Sequence, residues 1–411
     1  MESTRLKRIF VFLLLSVPLA IVFAQEKISL FGVPWYVPEV LVMSAFGVLI
    51  FLERRLPLVC SRRSVFFWGL FLLALGFSLS IFANDIIPHG YGRLKSWFFF
   101  PLAYGMMLSF SLRKKMLSLE DILRAVFLGG VLIGISTLMS IASGGGFSYD
   151  HRLHGFFSSP NHLAMLLGTA ILMGIFRGSS LWSKSGMEGL LIFSGAFFLS
   201  VLLLLTQSYA VILSLVTALC IGLAKYRSHF SRKTVLVLFF GLALSLGMLF
   251  FQSGDKWQGI IMQEDRSSLS SREMIWTAAL KMIRDHPFIG IGPGNFQEQY
   301  LAYQRYFPPY LEWSVPHPHN MFLDMWLEGG LFGLIGFGIF FLFWLLSSAR
   351  YFWQEKNESV LISLPFLFAV YFFLVGLVDV PFLRNDLAYF FAIASVLSLT
   401  ILSDTSSRRD D

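Results

Sequence analysis

Apolar runs long enough to cross a bilayer recur along most of this chain, with short polar stretches between them. A membrane helix needs roughly 20 apolar residues. The pattern predicts about twelve spans, near 9–24, 38–52, 65–83, 97–110, 122–142, 162–176, 188–205, 209–224, 233–251, 319–347, 360–377 and 386–403. The stretch from Gly189 to Ala224 is too long for one crossing, and Thr206, Gln207 and Ser208 interrupt it, so it reads as a tight hairpin. One connection, 252–318, breaks the rhythm by its length. Three regions follow: transmembrane helices 1–9 over 1–251, a large loop over 252–318, and helices 10–12 with a short tail over 319–411.

Inside the long loop the period changes. Ser270 and Glu273 have the spacing of a capping box, and Met274, Ile275, Ala278, Ala279, Met282 and Ile283 follow at helical spacing. This predicts an amphipathic helix ended by Pro287, lying at the membrane surface or against the bundle. Gly290, Gly292, Pro293 and Gly294 read as a tight turn: a phosphate loop would need a strand before and a helix after, and Pro293 lacks an N–H.

Composition fits this picture. The chain is 56% hydrophobic and 14% charged, against about 25% charged in a soluble domain. The runs are continuous rather than alternating, which excludes an outer-membrane barrel. The fold class is therefore an all-α polytopic membrane protein. The net charge of +7 is spread through alternate connections: Arg5/Lys7/Arg8, Arg54/Arg55/Arg62/Arg63, Arg113/Lys114/Lys115, Arg177/Lys184, Lys225/Arg227/Arg232/Lys233 and Arg350/Lys356. That is a topology signal rather than a nucleic-acid patch, and it predicts both termini in the cytoplasm. The connections 25–37, 84–96, 143–160, 206–208, 252–318 and 378–385 then face the other side. Ile9–Ala24 resembles a signal peptide, but Pro18 and Gln25 make a poor cleavage site, so a first span is expected. Cys60 and Cys220 predict no disulfide.

The candidate chemistry gathers where the long loop meets the tenth span. His319 stands at the outer interface, where an imidazole can take a proton from an attacking hydroxyl. Asn320, Asp324 and Glu328 continue as one helical stripe into the span, and buried polar groups at membrane depth need a cavity or partners. Gly329, Gly330, Gly333, Gly336 and Gly338 would let a neighbouring helix come close. His317 and His319 could share a metal, but Pro318 stiffens the pair and no third ligand is legible nearby, so no metal or other cofactor is expected. The outer-side arginines are Arg152, Arg266, Arg272, Arg284 and Arg305, and a guanidinium fork suits a diphosphate; Arg272, at a helix start, ranks above Arg266 and Arg152. Trp276 sits beside Arg272. Asn161 reads as the N-cap of the sixth span.

Several of these residues resemble a family. His319-Asn320, nine residues, Gly330, two residues, Gly333 is similar to the signature of the O-antigen ligase and polymerase superfamily. Arg272 with Trp276, the array His286-Pro287-Phe288, Gly290, Gly292 and Phe296, and Arg152, Gly155, Pro160 and Asn161 resemble its other elements in the same order. The resemblance implies a metal-independent, inverting glycosyltransferase of the class C membrane type in the bacterial inner membrane, with its active site and large loop in the periplasm. Its donor would be a glycan on undecaprenyl diphosphate, its acceptor lipid A–core, with membrane lipids around it and no nucleic acid. It makes His319 the general base, with arginines on the diphosphate. Where the family often has a Ser-Arg-Gly-like tip, this chain has Gln207, Ser208, Tyr209 and Ala210. Either Arg152, Arg266 or another residue replaces that arginine, or the donor differs.

Three alternatives remain. An O-antigen or exopolysaccharide polymerase would share every motif. A lipid-linked glycan transporter would need ionisable residues inside spans one to nine and related halves, and neither is visible. A non-catalytic assembly protein would leave the polar constellation without a role.

Overall fold

A computed structural model describes residues 2–30, 33–53, 65–182, 185–226, 268–303, 315–354, 360–382 and 384–407. The helices are α1 (Glu2–Ala20), α2 (Val37–Leu52), α3 (Val65–Ala83), α4 (Ile87–Leu94), α5 (Phe100–Arg113), α6 (Leu119–Ala142), α7 (Pro160–Trp182), α8 (Gly186–Leu205), α9 (Tyr209–Lys225), α10 (Ser268–Asp285), α11 (Phe296–Tyr303), α12 (Met321–Gln354), α13 (Leu364–Gly376) and α14 (Leu387–Ser407). Six helical stretches are long and apolar enough to cross a membrane: Thr4–Phe23, Val65–Ala83, Leu119–Ala142, Pro160–Leu181, Gly186–Leu205 and Met321–Gln354. Four shorter apolar helices, Val37–Leu52, Tyr209–Lys225, Leu364–Gly376 and Leu387–Val396, fall at further expected spans. The span expected at 233–251 lies outside the described residues.

Among the described residues a short two-stranded sheet departs from a purely helical reading. Lys27–Leu30 and Val33–Tyr36 pair antiparallel, Lys27 opposite Tyr36 and Leu30 opposite Val33. Both strands are short and carry β-branched or aromatic residues, which suit a pleated surface.

Contacts between connections sort them onto two ends of the bundle. At one end Lys95 Nζ meets Glu39 at 2.8 Å and the Pro34 carbonyl at 2.9 Å. There Gln25 Nε2 also donates to Asp386 at 3.1 Å, and Asn84 Nδ2 to the Gly290 carbonyl at 3.3 Å. At the other end Lys114 lies 3.9 Å from Glu53, and Arg177 lies 3.0 Å from Glu188. This grouping agrees with the alternation of basic and less basic connections.

Helix α12 is the spine. Gly333 and Gly336 pack on α3 so closely that a Cβ on Gly76 would lie 2.4 Å from the Gly333 nitrogen, and one on Gly336 would lie 2.3 Å from the Leu73 nitrogen. This is the small-residue approach the sequence predicts. Gly338 meets nothing within 4 Å and takes no part. Gly330 does something else: at φ 63° and ψ −163° it breaks the helix. The break is filled by the loop after α10. Leu331 N–H donates to the Phe288 carbonyl at 3.0 Å, and the Leu327 carbonyl accepts from Ile291 N–H at 2.6 Å. The helical bond between Leu327 and Leu331 is thus exchanged for two bonds to one loop. Non-helical backbone at membrane depth is tolerated only when its polar groups are satisfied in this way.

Helix α10 starts at Ser268, two residues before the predicted cap. Its apolar face is as expected: Ile275, Ala278, Ala279, Met282 and Ile283 are buried with Ile291, Phe296, Tyr300, Val315 and Leu327. It therefore lies against the bundle, over the first turns of α12. Gly290, Gly292 and Gly294 all have positive φ, as the tight-turn reading requires.

Candidate active site

Three connections far apart in sequence close on His319: the entry to α7, the segment 315–320, and the segment 377–386. His319 has φ 50°, a left-handed conformation that non-glycine residues seldom adopt. Asn320 caps α12 directly after it, accepting from Phe322 N–H at 3.0 Å and Leu323 N–H at 3.1 Å. Its amide donates to the Leu377 carbonyl at 2.9 Å. Asn320 therefore ties 315–320 to 377–386, and its side chain is spent on the cap rather than on His319.

Asp379 is the residue the sequence did not single out. Its Oδ1 lies 3.4 Å from His319 Nδ1 and 3.9 Å from His317 Nε2. Its Oδ2 accepts from Asn161 Nδ2 at 2.8 Å, and Val380 N–H donates to Oδ1 at 2.8 Å. Burial pushes this carboxyl up, but His319, His317 and the Val380 N–H outweigh burial and hold it well below the ordinary carboxylate range. It is a carboxylate beside an imidazole. The His317 ring packs edge-on against His319 with centroids 4.5 Å apart. Burial, then His319, push the His317 pKa well below its usual value, against the pull of Asp379.

Asn161 was predicted as a helix cap. Ser159 takes that part, accepting from His162 N–H at 3.2 Å. Asn161 is free to bridge instead. Its Oδ1 accepts from Arg152 Nη2 at 2.7 Å and from Ser208 Oγ at 3.0 Å, while its Nδ2 holds Asp379.

Arg152 is anchored on the tip at 206–209. Its Nε donates to the Thr206 carbonyl at 2.9 Å, beside Gln207, Ser208 and Tyr209. Burial lowers its pKa, partly offset by Asp150, with the nearby charge of Arg272 lowering it further. Arg272 Nε donates to the Val378 carbonyl at 3.2 Å, next to Asp379. Two of the three ranked cations thus converge; Arg266 lies outside the described residues. Trp276 is half-buried on α10, one turn after Arg272.

Asp324 and Glu328 sit deeper, both almost fully buried. Glu328 Oε1 accepts from Gly294 N–H at 3.1 Å, and Arg93 donates to the Pro293 carbonyl at 2.9 Å. The stripe therefore continues from His319 toward the glycine turn, where Glu328 holds loop backbone. Arg384, also unforeseen, lies beside His317, its Nη2 3.4 Å from His317 Nε2.

The sequence showed no third ligand for the histidine pair. The structure supplies one: ligand atoms of His317, His319 and Asp379 lie within 4.8 Å of one another. The donor set could hold a cation, but the Arg384 guanidinium brings positive charge to the same edge.

Residues 194–338 match the family described as O-antigen ligase. The ComP-specific O-oligosaccharyltransferase of Acinetobacter baylyi is 26% identical to this chain over 270 residues, which cover 59% of the chain and 47% of that protein. The match thus spans about half the length of that curated relative. Over a segment that carries the 206–209 tip, helix α10, the glycine turn and His319, this multi-helix chain is O-antigen ligase-like.

Proposed function

We propose that this protein is a membrane glycosyltransferase that moves a glycan from undecaprenyl diphosphate to a hydroxyl of lipid A–core at the periplasmic face of the bacterial inner membrane. The observation that carries the reading is the His319–Asp379 pair, with Asp379 Oδ1 3.4 Å from Nδ1, set where Arg152 and Arg272 converge. The carboxylate favours a proton on Nδ1, which leaves Nε2 as the base. In the reaction the acceptor hydroxyl gives its proton to Nε2 as its oxygen bonds to the anomeric carbon. The bond from that carbon to the diphosphate oxygen breaks with its electron pair. Arg152 and Arg272 hold the departing diphosphate, and Asp379 stabilises the imidazolium. Attack opposite the leaving group inverts the anomeric centre. In this reading Arg152 supplies the charge that Tyr209 lacks, and the outer connections form the periplasmic end of a twelve-span bundle.

Asp379→Asn should insert normally and lower turnover by about 10²-fold, because misplacing a base by an ångström costs that much. Initial rates of glycan transfer, measured with a folded-state check, read this directly. The proposal is metal-independent. Transfer by the purified protein should be unchanged after exhaustive EDTA treatment; a loss restored by one divalent metal would assign His317, His319 and Asp379 to a metal instead.

The ComP-specific O-oligosaccharyltransferase of Acinetobacter baylyi supports a second reading, O-linked oligosaccharide transfer to an acceptor other than lipid A–core. A polymerase, with a lipid-linked repeat as acceptor, is the third. Lipopolysaccharide from a strain lacking the protein separates them. Core without O-chain, with lipid-linked polymer accumulating, supports the ligase; unchanged lipopolysaccharide overturns it.

A further inference from the structure

Arg384 belongs to a second network that the mechanism above does not use. His162 and Asp386 are both fully buried, with His162 Nε2 2.7 Å from Asp386 Oδ2. Gln25 Nε2 donates to the same carboxylate at 3.1 Å. On the other edge of the ring, His162 Nδ1 lies 3.2 Å from Ser158 Oγ and 3.3 Å from Arg384 Nη1. Arg384 Nη1 also donates to Ser158 Oγ, and Nη2 faces His317 Nε2 at 3.4 Å. The guanidinium is therefore fixed by a hydroxyl and two imidazoles. Asp386 and Asp324 act on it through space, but among the described residues no carboxylate oxygen comes within 4 Å of it. A guanidinium fork held by neutral acceptors, beside an exposed serine hydroxyl, is suited to a substrate oxyanion.

Its position says which substrate. Arg152 reaches the corner through Asn161 and Oδ2 of Asp379, and Arg272 through the Val378 carbonyl. Arg384 instead touches His317, whose ring packs on His319. In an inverting transfer the leaving diphosphate and the attacking hydroxyl lie on opposite faces of the anomeric carbon, and the base sits with the hydroxyl. Arg384 shares none of the groups that seat Arg152 and Arg272 and reaches the base through a different ring, which assigns it to the hydroxyl's side.

We propose that Arg384, seated by Ser158, His162 and His317, binds an anionic substituent, phosphate or carboxylate, of the acceptor whose hydroxyl His319 deprotonates. This rests on the glycosyl-transfer reading, and it adds a recognition rule: the acceptor carries an oxyanion near the hydroxyl that is glycosylated.

The test is steady-state kinetics of the full-length purified protein with undecaprenyl-diphosphate-linked glycan and lipid A–core. Arg384→Gln should raise the acceptor KM by about tenfold or more, the scale of one charge-assisted hydrogen bond, while donor KM stays within twofold. Arg384→Lys should recover part of the loss, since it keeps the charge without the fork. Phosphatase-treated acceptor given to the wild-type protein should reproduce the Arg384→Gln defect if the anion is phosphate; acceptor with amidated carboxylates should do so if it is carboxylate. A rise in donor KM, a fall in kcat with both KM values unchanged, or no effect of either acceptor treatment overturns the proposal. A second readout needs no turnover: inorganic phosphate should raise the melting temperature of the wild-type protein more than that of Arg384→Gln, where only the Arg152 and Arg272 site remains, and that excess is the shift that reports Arg384. If the wild-type protein transfers nothing but this shift is present, the ligase reading falls and the anion site stands. If the excess is absent, the site falls.

Discussion

A His319→Ala protein is expected to insert and fold normally and to transfer glycan at least about 10²–10⁴-fold more slowly, the usual contribution of a positioned general base. Folding should survive because the structural load here is carried by neighbours. Asn320 caps α12 and ties it to Leu377, and His319 is itself partly exposed. What the substitution removes is the imidazole beside Asp379, and with it the group that takes the hydroxyl proton. The left-handed backbone at His319 fits a residue held for chemistry, since strained non-glycine conformations persist where the surroundings over-determine them. Alanine should relieve nothing that the cap of α12 does not already hold. Transfer rates and a detergent melting curve, taken on the same preparation, separate loss of chemistry from loss of fold. Full activity in this variant would remove His319 from the mechanism.

Gly330→Ala should instead cost the fold. The residue lies at φ 63° and ψ −163°, a region open essentially to glycine alone, and a side chain there costs about 1–3 kcal/mol in backbone strain. A Cβ would also lie 2.2 Å from the Phe288 carbonyl and 2.8 Å from that of Ile289. The carbonyls cannot retreat cheaply, because Phe288 accepts the Leu331 N–H. The expected result is a protein with a lower melting temperature and poor recovery of monodisperse material. Gly338→Ala is the matched control, since its Cβ would meet nothing within 4 Å and it sits on the same helix. Equal melting temperatures for the two variants would show that the helix break and its loop insert do not hold this end of the bundle together.

Which parts of this architecture were legible from sequence follows from the range of the forces involved. The helices at the expected spans among the described residues, the 206–208 hairpin tip, the apolar face of α10 and the glycine turn are set by local period and backbone preference, and each of these appears where expected. The close approach at Gly333 and Gly336 also follows from local composition. Gly330 reads the same way in sequence, because the apolar run continues past it; only the loop that enters the break distinguishes it. Asp379 and Arg384 stand in a short connection with no repeated spacing around them. Asp379 gains its meaning from Asn161, 218 residues earlier in the chain, and Arg384 from Ser158, 226 residues earlier. Such partners form only when the bundle closes. One signal was available: an Asp and an Arg in the short connection 378–385, between two expected spans. The missing arginine at Tyr209 was legible as an absence, and Arg152 as one candidate to fill it. The Thr206 carbonyl that seats Arg152 at that tip is a tertiary fact.

The most direct test is a reaction of three purified components: this protein, an undecaprenyl-diphosphate-linked glycan and lipid A–core. The account predicts glycan covalently attached to the core with inverted anomeric configuration, formed without added metal, and no such product with His319→Ala. Longer lipid-linked chains with an unmodified core, or product of retained configuration, would contradict it.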